Sequence, residues 1–140
     1  MALGNKITIS RSGNNVVAIG SNINVGSGND DLIVIGNRGD SSPQITNAKN
    51  SVIIGKQAIS QAESAVAIGK GATIEANATG AVAIGEGATV EETAGESMAL
   101  GNVAAGKVDK GSTDAINGGQ LKSVIDVFAN LGLSVLGAEA

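Results

Sequence analysis

A string of the form apolar–small–apolar–Gly returns along almost the whole chain. It reads Ala2-Leu3-Gly4, Val17-Ala18-Ile19-Gly20, Ile33-Val34-Ile35-Gly36, Val52-Ile53-Ile54-Gly55, Val66-Ala67-Ile68-Gly69, Val82-Ala83-Ile84-Gly85 and Met98-Ala99-Leu100-Gly101. Subtracting the numbers of successive glycines gives spacings of 16, 16, 19, 14, 16 and 16. A fixed period of this kind is the mark of a stacked repeat, in which one turn cannot bury its own apolar face and must lie on the next.

Each unit carries two short strands. The tetrad, for example Ala65-Val66-Ala67-Ile68, lacks polar alternation and predicts a strand buried on both faces. Val66 and Ile68 then point one way and Ala65 and Ala67 the other, and alanine implies a close neighbour on its side. The second strand follows the glycine and alternates: Ala72-Thr73-Ile74-Glu75, Ala88-Thr89-Val90-Glu91, Ile7-Thr8-Ile9 and Ile23-Asn24-Val25. One of its faces is buried and one is wet. The glycine between them suits a corner with positive φ, and Asn-, Ser- and Gly-rich pieces such as Gly26-Ser27-Gly28-Asn29-Asp30 suit the return turns. A narrow coil has only one interior, so the second apolar face of the tetrads asks for another molecule. The expected packing residues are Val17, Ile19, Ile33, Ile35, Val52, Ile54, Val66, Ile68, Val82, Ile84, Met98 and Leu100. A wide monomeric solenoid capped by a helix is the competing reading.

Composition agrees with a thin, layered core. Of 140 residues 21 are Gly, one is Pro and one is Phe, with no Trp, Tyr, Cys or His. Large aromatic anchors are absent, yet mean hydropathy is positive and the net charge only −4, which disfavours disorder. Mild acidity without basic runs or stacking aromatics argues against nucleic acid. No apolar run long enough for a bilayer helix occurs, so no membrane contact is expected. Without His or Cys the common general bases and thiol nucleophiles are gone, and with them the usual transition-metal ligands. Neither an enzyme nor a cofactor is expected. Asp30-Asp31 reads as a turn before it reads as a calcium site.

After Gly101 the pattern changes. Ser112 or Thr113 is placed to cap a helix, with Asp114 in its first turn. Leu121, Val124 or Ile125, Phe128, Leu131 and Val135 recur at spacings of three and four, the seam of a coiled coil. A terminal helix folding back on the solenoid is the plainer alternative.

With both pieces in hand, the sequence resembles the trimeric autotransporter adhesins of Gram-negative bacteria. Ser64-Ala65-Val66-Ala67-Ile68-Gly69 and Gly80-Ala81-Val82-Ala83-Ile84-Gly85 are similar to the YadA-like head unit. Asn102-Val103-Ala104-Ala105-Gly106, Thr113-Asp114-Ala115-Ile116-Asn117 and Gln120-Leu121-Lys122 resemble the family's neck. The resemblance implies a mostly β fold, a left-handed parallel β-roll forming an intertwined homotrimer, with a short C-terminal α-helical coiled-coil segment. It divides the chain into a head over 1–101, a neck over 102–121 and the start of a stalk over 122–140. Neck and stalk packing would fall to Val103, Ala115, Ile116, Leu121, Val124 and Phe128. Gly118 and Gly119 depart from bulkier residues usual there, and the Gly36–Gly55 unit is expanded.

In function the resemblance implies an adhesin on the bacterial cell surface, anchored to the outer membrane through parts this chain lacks. Its partners would be host extracellular matrix proteins or cell-surface receptors. A rigid spacer with no ligand of its own is the alternative. An ice-binding array is a weak third reading, because Thr8, Thr73 and Thr89 are sparse. The insertion after Gly36 predicts an exposed loop carrying Arg38, Gly39 and Asp40, a tripeptide that integrins recognise. Asn77-Ala78-Thr79 is a formal glycosylation sequon.

Overall fold

A computed structural model describes residues 1–10, 14–39 and 44–132. They form two compact units, Met1–Asn102 and the segment from Val103 onward.

The first unit is a β-solenoid of about six turns. Its strands are β1 (Ala2–Ile9), β2 (Val17–Val25), β3 (Ile33–Asn37), β4 (Val52–Ile54), β5 (Ile59–Ser60), β6 (Val66–Ile68), β7 (Thr73–Ile74), β8 (Val82–Ile84), β9 (Thr89–Val90) and β10 (Met98–Leu100). The tetrads stack as a seven-stranded sheet in the order β1-β2-β3-β4-β6-β8-β10, and the later second strands as a three-stranded sheet, β5-β7-β9. All pairings are parallel. In the first two turns β1 and β2 run on through the glycine, so that Ile7 pairs with Ile23 and Ile9 with Val25 in the same ladder as Leu3 with Ile19.

The register places like on like. Ala18, Val34, Ile53, Ala67, Ala83 and Ala99 form one column, and all but Ala99 are fully buried. They pack with the inward residues of the second strands, Ile23, Val25 and Ile45 in one cluster and Ile74 and Val90 in the other. Alanine faces the core because the two arms of each turn lie close. The interior of a single coil is therefore built from the central residue of each tetrad, most often alanine, and the inward residue of each second strand.

The corner glycines form a column of their own. Gly4, Gly20, Gly36, Gly55, Gly69 and Gly85 have φ between +118° and +146°. A Cβ on any of them would come within 2.4 Å of the carbonyl oxygen of the glycine one turn on. Backbone touches backbone there, and both the torsion and the contact exclude a side chain.

Two departures from the 16-residue period are absorbed by buried polar side chains. In the 19-residue unit Ile45 takes the inward place beneath Val25, joined by a single parallel bridge. The fully buried Asn29 amide donates to the carbonyls of Gly26 (3.0 Å) and Ile45 (3.2 Å) and accepts from the Ala48 N–H (2.7 Å). In the 14-residue unit Ser60 occupies the inward place held by Ile74 in the next turn. Its hydroxyl donates to the Ala62 carbonyl at 2.9 Å, and the buried Ser51 hydroxyl accepts from the Ala65 N–H at 3.0 Å. These bonds satisfy backbone groups that a regular turn would pair by itself.

The tripeptide loop corrects one expectation. Arg38 is 2 % exposed and so is not on an exposed loop, while Gly39 is half-buried. Burial draws the Arg38 guanidinium below its ordinary pKa. Asp40 lies outside the described residues.

Candidate assembly surface

On the side of each tetrad away from the core, two further columns run the length of the ladder. One is Val17, Ile33, Val52, Val66, Val82 and Met98; the other is Leu3, Ile19, Ile35, Ile54, Ile68, Ile84 and Leu100. Period-two geometry explains the split, since the alanine between them takes the inner face. Within a single chain most of these side chains are half-buried, while Ile33, Ile84, Leu100, Leu3 and Met98 are exposed at 37 %, 39 %, 51 %, 62 % and 65 %. The twelve residues read from the sequence as packing residues thus share one face, yet none belongs to the buried core of the coil. At about 4.8 Å per strand the seven-stranded ladder extends roughly 29 Å, a contiguous apolar strip of the kind that marks an interaction surface.

Charged groups lie elsewhere and are mostly paired locally. Lys70 and Glu86 occupy the same corner position in successive turns and meet at 2.5 Å. This hydrogen bond, with the attraction of opposite charge, holds the Glu86 carboxyl below its usual range and raises Lys70. Asp30 accepts from the Asn14 N–H and Asp31 from the Asn15 amide, so both carboxylates brace turns. No group of three metal-ligating residues occurs among the described residues.

In the second unit, a helix, α1 (Gly118–Asn130), is preceded by irregular chain with a turn at 109–111. Its N-cap is Asn117 rather than Ser112 or Thr113. The Asn117 amide oxygen accepts from the Gln120 N–H (3.0 Å), and its nitrogen donates to the Val103 carbonyl (2.9 Å). Gln120 returns the favour, its amide oxygen accepting from the N–H groups of Asn117 (3.2 Å) and Gly106 (2.8 Å) while its nitrogen donates to the Gly106 carbonyl (2.7 Å). Asn117 followed three residues on by Gln120 is capping-box spacing, the signal that could have placed the helix start. Asp114 instead accepts from the Lys107 N–H. Gly106 passes so near Ala115 that a Cβ would lie 2.2 Å from its carbonyl oxygen. The strand of chain before the helix is thereby clipped to its first turn.

None of the α1 residues is buried. Leu121, Val124, Ile125, Phe128 and, just beyond, Leu131 are 57 %, 52 %, 39 %, 38 % and 67 % exposed, as is Ile116 at 51 %. Val103 is half-buried and Ala115 exposed. Val135 lies outside the described residues.

Residues 101–138 match the family model of the coiled stalk of trimeric autotransporter adhesin. With the β-solenoid before it, the chain fits a YadA-like head and neck fragment of such an adhesin. No curated protein and no solved structure matches the chain at a significant level. The adhesin stalk family is structural and adhesive in character. Among the described residues, no helix is long and apolar enough to cross a membrane.

Proposed function

We propose that three copies of the chain close around one axis through the apolar columns, giving a left-handed β-roll head over 1–101, a neck over 102–121 and the start of a coiled-coil stalk over 122–140. The carrying observation is the uncovered strip Val17–Met98 and Leu3–Leu100. Leaving it in water forfeits about 1 kcal/mol for each half-covered Val or Ile, so covering it supplies a large driving force. The trimeric name of the matched stalk family supports three copies rather than two, and the exposed apolar residues of α1 give the same three chains a second seam.

The assembled rod acts as a cell-surface adhesin, attaching to host extracellular matrix or cell-surface molecules without reaction. Stacked turns repeat each surface position, and three copies add avidity. Binding of the purified assembly to immobilised matrix proteins and to cultured cells tests this. Saturable binding that soluble assembly competes away is expected. Absence of specific binding to either would reduce the segment to a rigid spacer.

A further inference from the structure

The short 14-residue unit leaves a recess on the outer edge of the coil. Ser60 and Val66 are six residues apart, where Ile74 and Val82, and Val90 and Met98, are eight. The shorter return turn does not reach as far as its neighbours. Asn47 from the turn before, Ala76, Asn77 and Thr79 from the turn after, and Gln61, Ala62 and Glu63 line it. The space is about 230 Å³ and open on one side, less than the roughly 300–1,000 Å³ that a drug-sized ligand occupies.

Its chemistry is specific. The side chains of Asn47, Gln61 and Glu63 have no hydrogen-bond or ionic partner among the described residues, whereas Asn77 is held by Glu92 at 2.7 Å. Two free amides, each with a donor beside an acceptor, stand around a free carboxylate that accepts only. Adjacent hydroxyl groups on a ring both give and accept, and they match such planar groups in pairs. The methyl group of Ala76, half-buried at the rim, offers a small apolar contact for the C–H face of the same ring. No cationic side chain lines the recess, and Glu63 with Glu92 nearby repels anions.

We propose that this recess binds one neutral pyranose residue, through Asn47, Gln61 and Glu63. This deepens the adhesive reading, on which its biological use rests, by assigning a site and a ligand class. Without a stacking aromatic, one site holds a single sugar weakly, and repetition over three copies strengthens the attachment to a glycan-covered surface.

The test follows the side-chain amide signals of Asn47 and Gln61 by NMR while methyl glycosides of neutral hexoses are titrated into the intact chain. Saturable shifts at both amides are expected for at least one glycoside. Glu63→Ala should weaken that binding about tenfold or more through loss of a charge-assisted hydrogen bond, with the backbone spectrum unchanged, and Gln61→Ala should act in the same direction. Absence of saturable shifts, shifts indifferent to both variants, or the same shifts produced by calcium alone would each overturn the proposal. If the unaltered chain shows no sugar shifts yet binds matrix proteins, the pyranose site fails while the adhesive reading stands.

Discussion

Gly69 rests so closely on Gly85 that a Cβ on Gly69 would lie 2.3 Å from the Gly85 carbonyl oxygen. Two residues on, Gly71 also has positive φ, +67°, but nothing stands within 4 Å of its would-be Cβ. The fold requires the two glycines for different reasons, contact plus torsion at one and torsion alone at the other. Gly69→Ala should cost about 3 kcal/mol or more, and Gly71→Ala about 1 kcal/mol. Denaturant midpoints of the two variants, with circular dichroism as the signal, check the ranking.

Asn29, in the second turn, ties the irregular third turn to its neighbour. Asn29→Ala strands the Ala48 N–H and the Gly26 carbonyl in the interior and should destabilise by about 3 kcal/mol. Asn29→Asp should be worse near neutral pH, because a carboxylate cannot donate to the Gly26 and Ile45 carbonyls. Desolvation and those carbonyls would raise the folded pKa of the new carboxyl, so the folded state holds the extra proton. Stability of that variant should therefore recover as pH falls. Urea unfolding at neutral and mildly acid pH would show this, and equal stability at both would refute it.

The Lys70–Glu86 pair makes a pH signature. The lowered folded pKa of Glu86 means a contribution fully present above its unfolded pKa and lost as pH falls through the folded value. The raised pKa of Lys70 means one present below its unfolded pKa and lost as pH rises through the folded value. Both side chains are solvent-exposed, so salt should screen the effect. Lys70→Met should flatten the acid side of the stability profile at low ionic strength and change little at high salt. Thermal melts across the acid range at two salt concentrations measure it.

At the base of α1, Gln120→Ala removes bonds to Asn117 and to both backbone groups of Gly106. The first turn of the helix and the Val103–Gly106 segment should fray together, at a cost of about 1–2 kcal/mol. Amide exchange should accelerate at Gly106 and in the first turn of α1. A change confined to the helix would mean that the clip is not cooperative.

The regular part of this fold is legible because stacking writes one residue type into one column. The glycine spacing, the inward Ile74 and Val90 and the outward Thr73 and Thr89 all follow from period-two geometry repeated at a fixed interval. Where the period breaks, the residues are single and leave no pattern. Asn29, Ser51 and Ser60 look like surface turn residues by type, and only the three-dimensional course of the chain buries them. Arg38 belongs with them: an insertion predicts a charge carried outward, and the chain's course buries it. The recess at Gln61 is a difference of two residues between neighbouring turns, visible in the numbers but silent about which side chains would line it.

The trimer carries the account, and molecular mass in solution tests it most directly. Sedimentation equilibrium of the purified chain should give three copies with the native β signal. Ile68→Asp, which places an unpaired charge on the apolar strip but not in the core of the coil, should dissociate or unfold that assembly. A folded, stable monomer of the unaltered chain at micromolar concentration would contradict it.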